Sequence, residues 1–228
     1  MRILAVDTAT TSCSVAIVDK TSLLSEFILD REETHSKHLM DMIKASLRMS
    51  GLNFSDLDGF AVTRGPGSFT GLRIGISTIK GLAVASEKPV VGVSSLKALA
   101  FQVSYSRDLL CPILDARKGE VYFSRYKFLN GHLQKQTKEG VAPPDQAVDD
   151  LNESCLFVGN GALIYKEMIL EKMGKFASFA PLIQNTIRAS TMAYLSMAKF
   201  ENNDTDDIEK ILPYYIRKSD AELNLMIS

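Results

Sequence analysis

The stretch TRGPGSFTGLRIGISTIK, Thr63 to Lys80, lies between the apolar run Phe60-Ala61-Val62 and a helix-like segment that ends near Ala85. The order reads strand, glycine-rich turn, helix. Gly65 and Gly67 open backbone conformations closed to residues with a side chain, and Pro66 between them fixes φ, so the turn is tight and stiff. Ser68 or Thr70 then caps the helix. Such a turn leaves backbone N–H groups pointing outward at a helix N-terminus, an arrangement suited to an anion. The glycines run G-x-G-x-x-x-G, one residue off the dinucleotide fingerprint, and no lysine stands in the P-loop position. A purely structural turn is the alternative reading. Within the helix, Gly67, Gly71 and Gly75 recur every fourth residue, and Ser77, Thr78 and Gly81 keep the surface small. A helical glycine costs about 1 kcal/mol against alanine, so the pattern predicts close approach by another backbone. Either the chain's own sheet or a second helix would serve, and a helix-packing surface is the preferred expectation.

The motif TRGPGSFTGLRIG resembles the signature of the TsaB family, formerly YeaZ, of bacterial accessory proteins in making threonylcarbamoyladenosine on tRNA. DTAT at Asp7–Thr10, VSSLKALA at Val93–Ala100, DARKGEVY at Asp115–Tyr122 and PYYIR at Pro213–Arg217 extend the likeness over nearly the whole chain.

The N-terminal third carries its own fold signal. Ile3–Val6, Cys13–Val18 and Ser22–Leu29 read as three successive strands, with the hydroxyl-rich turn Asp7-Thr8-Ala9-Thr10-Thr11-Ser12 between the first two. This opening resembles the actin, Hsp70 and sugar-kinase (ASKHA) superfold, in which the first hairpin embraces nucleotide phosphates and metal. The fold expected is therefore α/β, a duplicated ASKHA-like arrangement of two subdomains, each a mixed sheet flanked by helices. A polar break at Tyr105–Asp108 divides residues 1–105 from residues 106–228, with the last helix and tail packing back on the first subdomain. Cys155–Val158, the turn Gly159-Asn160-Gly161 and a helix from Ala162 to Met173 repeat the strand, glycine turn, helix unit of the first half. Between them, single strands are expected over 120–128 and 133–141, and a hydrophilic mobile loop over 201–207.

Composition bounds the rest. With 228 residues, 46% hydrophobic and 23% charged, the chain is an ordinary globular protein rather than a disordered or membrane one. Its 26 basic and 27 acidic residues balance to a net charge of -1, so no global field attracts polyanions. An indirect role near nucleic acid follows, with a local basic patch left open. Cys13, Cys111 and Cys155 are far apart, lack C-x-x-C spacing and sit in apolar runs, which indicates buried free thiols in a reducing cytoplasm. The N-terminus has too short an apolar run for a signal peptide.

Candidate sites follow from these motifs. Asp7 at a strand end could orient hydrated Mg²⁺, and with Thr8, Arg64, Gly65, Gly67 and Ser68 it makes up the expected nucleotide or phosphate set. The superfold's usual turn glycine after the aspartate is replaced here by Thr8, and an Asx turn closing the hairpin is the competing reading. His35 and His38 lie on one face of a helix expected over 34–49, capped by Thr34 or Ser36. The catalytic relative TsaD binds its metal through H-x-x-x-H; this H-x-x-H has the wrong spacing and no third ligand, so no metal site is assigned. Asp115, Arg117 and Glu120 read as a solvated hairpin turn.

What the resemblance implies is a non-catalytic scaffold. TsaD transfers the threonylcarbamoyl group from its adenylate to adenosine in tRNA with the ATPase TsaE assisting, and TsaB stabilises TsaD. Helices at about 35–50 and 70–86 would pack on the same helices of TsaD, or on a second copy when TsaD is absent. His35, Leu39, Met42, Ile43, Phe69, Leu72, Arg73, Ile76 and Lys80 are the expected interface residues, and Met40, Met42 and Met49 give the first helix an adaptable surface. The chain alone would need no cofactor; ATP or ADP with Mg²⁺ would sit at the interface of the complex. Contact with tRNA would be indirect or through the complex, in the cytoplasm and away from membranes. The competing readings are an independent ATPase or kinase of the same superfold, using Asp7 and the Gly65 turn, and a metallopeptidase.

Overall fold

The computed structural model describes residues 1–30 and 35–217. Thr34, one of the two expected caps of the first helix, lies outside the described residues. The first sheet contains β1 (Ile3–Asp7), β2 (Ser12–Val18), β3 (Leu23–Asp30), β4 (Gly59–Gly65) and β5 (Val90–Ser94), in the order β3-β2-β1-β4-β5. β1, β2 and β3 form an antiparallel meander, with Ala5 opposite Ala16, while β1, β4 and β5 run parallel. β1 and β2 are buried on both faces, which is why they read as continuous apolar runs rather than alternations. Two helices, α1 (Leu39–Ser50) and α2 (Phe69–Ser86), cover one face. Their apolar stripes meet Leu4, Val6, Val15, Phe60 and Val62 in one cluster. Gly51, in the left-handed region at φ 67°, ends α1 with its N–H on the last turn's carbonyls.

The second sheet repeats this plan. β6 (Leu109–Arg117), β7 (Glu120–Phe123), β10 (Gly140–Ala142), β11 (Cys155–Val158) and β12 (Ala177–Phe179) take the order β10-β7-β6-β11-β12, position for position the order of the first sheet. A hairpin, β8 (Tyr126–Leu129) with β9 (His132–Lys135), is added beside β6. The single strands expected over 120–128 and 133–141 are thus each split in two. The cause is a corner at Ser124-Arg125, pinned by Ser124 Oγ donating to the Thr137 carbonyl at 2.9 Å and by the Arg125 N–H on Thr137 Oγ1 at 3.1 Å. Three short helices, α4 (Pro144–Ala147), α5 (Asn160–Ile164) and α6 (Lys166–Met173), cover the outer face; the single helix expected from Ala162 breaks at Tyr165.

Two further helices, α3 (Ser95–Gln102) and α7 (Ala189–Glu201), lie between the sheets. α3 follows the first sheet yet packs on β6 of the second, and α7 follows the second sheet yet packs on β1, β2, β4 and β5 of the first. The halves are therefore interlocked around one cluster that joins Ala5, Ala61 and Val91 to Leu110, Leu114 and Val158 through Leu99, Met192 and Ala193. α7 is held at its start by side chains of the first sheet. Glu26 on β3, its side chain 5% exposed, accepts from the Ser190 N–H at 3.0 Å, the Ser190 hydroxyl at 2.7 Å and the Arg188 guanidinium, while Ser14 Oγ accepts from the Ala189 N–H at 3.0 Å. The 201–207 segment, read as a mobile loop, is instead tied to the edge of the first sheet: the Asp206 N–H donates to the Val90 carbonyl at 2.9 Å.

Replacing Glu26 removes the acceptor for three donors at a helix start and leaves Arg188 without its counter-ion. Glu26→Ala should lower stability by about 2–4 kcal/mol, read as a fall in the urea midpoint with an unchanged m-value; a midpoint within error of the wild type would show that α7 is held by packing alone.

Candidate partner face and glycine turn

β4 runs into Gly65, whose φ of +118° only glycine adopts readily, and the following Gly65–Pro66 peptide is cis. Ser95 at the start of α3 donates its hydroxyl to the Pro66 carbonyl at 2.6 Å. Ser68 is the cap of α2, accepting from the Gly71 N–H at 3.2 Å; Thr70, the alternative cap, points outward. The three glycines at fourfold spacing face the chain's own β1–β2 turn. A Cβ added at Gly67 would overlap the Ala9 carbonyl oxygen, one at Gly71 the Thr8 carbonyl oxygen, and one at Gly75 the Thr8 hydroxyl. Thr8 Oγ1 donates to the Gly71 carbonyl at 2.8 Å, and the Ser68 N–H donates to the Ala9 carbonyl at 2.7 Å. The expectation that these three glycines open α2 to a second helix is thereby corrected: the close backbone approach is internal.

The same contact closes the expected phosphate cradle. Thr8 and Asp7 are both fully buried. Four of the N–H groups expected to face an anion are bonded within the chain: Thr8 to Thr63 Oγ1, Ala9 to Asp7 Oδ1, Ser68 to the Ala9 carbonyl and Gly71 to Ser68 Oγ. This is the Asx-turn alternative, with α2 as its lid. Asp7 Oδ2 is buried with no hydrogen-bond partner, and burial pushes the carboxyl up to about 7 against the opposing hydrogen bonds of Thr63, Ala9 and Thr8. A carboxyl held so readily in its neutral form, with no opening to solvent, does not fit a magnesium nucleotide, and no step is derived through one. Cys13 beside it is likewise forced up, to about 12, by burial and by the Asp7 charge, which leaves the thiol inert.

Arg64 also has an internal role. Its side chain lies along Gly92, where an added Cβ would overlap it, and Nη1 sits 3.3 Å from Asp206 Oδ1; Asp206 Oδ2 accepts from the Gly92 N–H at 2.8 Å. From Asp206 the chain continues across α2. Lys80 Nζ donates to the Glu209 carbonyl at 3.0 Å, the Tyr214 N–H donates to the Arg64 carbonyl at 2.6 Å, and Arg73 Nε donates to the Tyr215 hydroxyl at 3.0 Å. Phe69 stacks on Tyr215 at 4.8 Å and carries the Arg73 guanidinium over its ring at 3.8 Å. Arg217 Nη1 then reaches the Ala116 carbonyl and Glu120, both at 3.0 Å, on the β6–β7 turn of the other half. The tail is thus a strap joining the two glycine-turn ends of the duplicated fold. Sequence reading named its aromatic and basic residues but not Asp206, whose only sequence signal is its place in a hydrophilic run.

The expected interface residues divide by burial. Leu39, Met42, Ile43, Leu72 and Ile76 belong to the chain's own core, because the same apolar stripes that mark the helices as amphipathic are spent against the first sheet. This corrects their assignment to a partner surface. His35, in a 3-10 turn before α1, donates from Nε2 to the Thr10 carbonyl at 2.8 Å. Phe69, Arg73 and Lys80 engage the strap. Besides Arg73, what α2 still shows to solvent is Thr70, Ser77, Gly81, Val84 and Ala85, and α1 shows Met40, Asp41, Lys44, Arg48 and Met49.

Comparison with known proteins accords with this architecture. Residues 23–225 match the family described as "TsaD: tRNA N6-adenosine threonylcarbamoyltransferase". The chain is 31% identical to the "tRNA threonylcarbamoyladenosine biosynthesis protein TsaB" of Bacillus subtilis, over 97% of this chain and 96% of that protein. It is 33% identical to the protein of the same name from Escherichia coli, over 97% and 96%. The chain belongs to the TsaB family. The solved structure "YeaZ from Pseudomonas aeruginosa" superposes with a TM-score of 0.80 at 28% identity, covering 94% of this chain and 99% of that one. Component A of the (R)-2-hydroxyglutaryl-CoA dehydratase of Acidaminococcus fermentans, at a TM-score of 0.55 and 11% identity, shares the fold alone. With a sugar kinase, the ROK hexokinase of Thermus thermophilus, also among the neighbours, the ASKHA architecture expected from the first hairpin is the one present. Among the described residues, no helix is long and apolar enough to cross a membrane.

Two changes separate the glycines of this TsaB family member. Gly71→Ala should destabilise by about 1–3 kcal/mol although alanine is the better helix former, because its Cβ meets the Thr8 carbonyl; Gly81→Ala, with open space around it, should stabilise by about 1 kcal/mol. Equal and positive shifts in melting temperature would show that the hairpin turn gives way. For Asp7, a pKa raised in the folded state means that stability falls as pH rises from the unfolded carboxylate value toward about 7 and is level above it. Asp7→Asn abolishes that slope, so the stability of the variant relative to wild type should rise by up to about 4 kcal/mol between pH 4 and pH 8; a difference independent of pH would mean that Asp7 ionises freely in the fold.

Proposed function

We propose that this chain is a non-catalytic accessory subunit in the biosynthesis of threonylcarbamoyladenosine on tRNA, acting by binding and stabilising the transferase TsaD through α1 and α2. TsaE joins the larger complex, ATP or ADP with Mg²⁺ belongs to the interface of the complex, and in isolation the same face forms a homodimer. The observation that carries the reading is Gly81. Gly67, Gly71 and Gly75 are each explained by the β1–β2 turn, but a Cβ at Gly81 would meet nothing within 4 Å, so nothing among the described residues accounts for the helix stability it gives up. Ser77 lies one turn before it on the open face of α2, and the apolar Val84, 62% exposed, one turn after. Met40 and Met49 are exposed large apolar side chains on α1. A partner helix seated on this face would use the gap that Gly81 leaves. The non-catalytic part of the reading is supported by the closed turn around Asp7 and by the internal bonding of its N–H groups.

The partner contact is therefore assigned to exposed residues of the two helices rather than to the buried stripe. Gly81→Leu should leave the circular dichroism unchanged and raise the melting temperature slightly, through its better helix propensity, while weakening the complex with TsaD from the same organism by about tenfold or more, measured by light scattering and titration calorimetry. Full-strength complex formation by Gly81→Leu would remove this face from the interface.

A further inference from the structure

We propose that the face built by α3, α7 and the β8–β9 hairpin binds a single-stranded segment of RNA, with Lys97, Lys135 and Lys199 meeting phosphates and Tyr194, backed by Phe101, stacking a base. The site lies away from the open face of α1 and α2. Its parts come from three elements that the fold alone brings together. On α3, Lys97 and Phe101 are four residues apart and share one helical face. Phe101 stacks on Tyr194 of α7 with ring centroids 5.5 Å apart and meets Phe128 of β8 edge-on at 6.4 Å. Across the hairpin Tyr126 is opposite Lys135 and Phe128 opposite Leu133, so Lys135 is on the same face of the hairpin as Phe128. Tyr194 is 58% exposed, an aromatic plane supported from behind and open in front.

Charge favours an anionic occupant. Lys135 pairs with the buried Glu139 at 3.2 Å, and Lys199 lies 3.8 Å from the exposed Asp204. The Lys97 ammonium has no acceptor among the described residues, and its pKa is lowered first by burial and then by the charges of Lys199 and Lys135. The unpaired Lys97 cation on the Phe101 face of α3, with Lys135 on the Phe128 face of the hairpin, stands beside a supported aromatic plane and combines a phosphate contact with a stacking platform, the two components of single-strand recognition. The overall charge of -1 does not oppose this, since the patch is local. The choice of RNA among polyanions rests on the function proposed above.

The test uses the full chain and a fluorescein-labelled oligouridylate, with binding followed by anisotropy across a salt series. A polyglutamate peptide of matched charge serves as comparator. Lys97→Glu with Lys199→Glu should weaken RNA binding by about tenfold or more and reduce the salt slope by about 1.4, two phosphate contacts' worth on a single strand. Tyr194→Ala should weaken it by roughly 5- to 100-fold with the slope unchanged. All three positions are on the surface, and circular dichroism verifies that the variants fold. Failure of the wild-type chain to bind the oligonucleotide at low salt, variants that bind as well as wild type, or equal affinity for polyglutamate would each overturn the proposal. Variants that bind RNA normally while the TsaD complex forms would sink this inference and leave the scaffold reading standing. Loss of RNA binding in the variants without any TsaD complex would do the reverse.

Discussion

The contact between the glycine face of α2 and the turn after β1 constrains the rest of the first half. β1 and β4 are parallel neighbours, so the turn that leaves β1 and the helix that follows β4 emerge at the same end of the sheet. Only residues without a Cβ at positions 67, 71 and 75 let the helix come down onto Thr8 and Ala9. The Thr8 hydroxyl is then within reach of the Gly71 carbonyl, and the Ser68 N–H within reach of the Ala9 carbonyl. Steric fit and hydrogen bonding reinforce each other here: the approach that glycine permits is also what satisfies the buried polar groups of the turn. The cost in helix propensity is offset by that satisfaction.

In the superfold this turn is where a nucleotide's phosphates would be embraced, and in this chain it is sealed by its own helix. Asp7 remains as a buried carboxyl whose neutral form is favoured by desolvation. The hydrogen-bonding groups of this turn are directed inward. The features that internal contacts do not explain, the open position at Gly81 and the cation at Lys97, both lie on the outside.

A second constraint is the exchange of helices between the halves. Each sheet is covered on its inner face by the helix that ends the other half, so neither half completes its core alone. Glu26 and Ser14 hold the start of α7 to the first sheet, and the strap from Asp206 to Arg217 closes the opposite side by touching Gly92, Arg64, Arg73 and finally Glu120. The strap also explains why Phe69, Arg73 and Lys80, which look from their chemistry like contacts for a partner, are engaged within the chain.

Much of the architecture was legible in the residues. The apolar runs of β1, β2, β4 and β11, the amphipathic spacing of α1 and α2, and the repeated strand, glycine turn, helix unit specify a duplicated α/β fold because local periodicity reports which side of each element must be buried. The glycine spacing also announced a close backbone approach correctly. What it could not announce was the partner: helix α2 is amphipathic whether its small face meets a neighbouring protein or the turn of β1, and only the parallel placement of β1 beside β4 brings Thr8 under Gly71. The same holds for Leu39, Met42, Ile43, Leu72 and Ile76, whose apolar character does not distinguish a core from an interface. The corner at Ser124-Arg125, the tie of Asp206 to β5, and the stacking of Phe101 on Tyr194 are contacts between residues remote in sequence, created by strand pairing and helix exchange. Sequence determined which faces had to be covered; tertiary structure decided what covered them, because burial is a property of surfaces brought together and not of the residues that carry them.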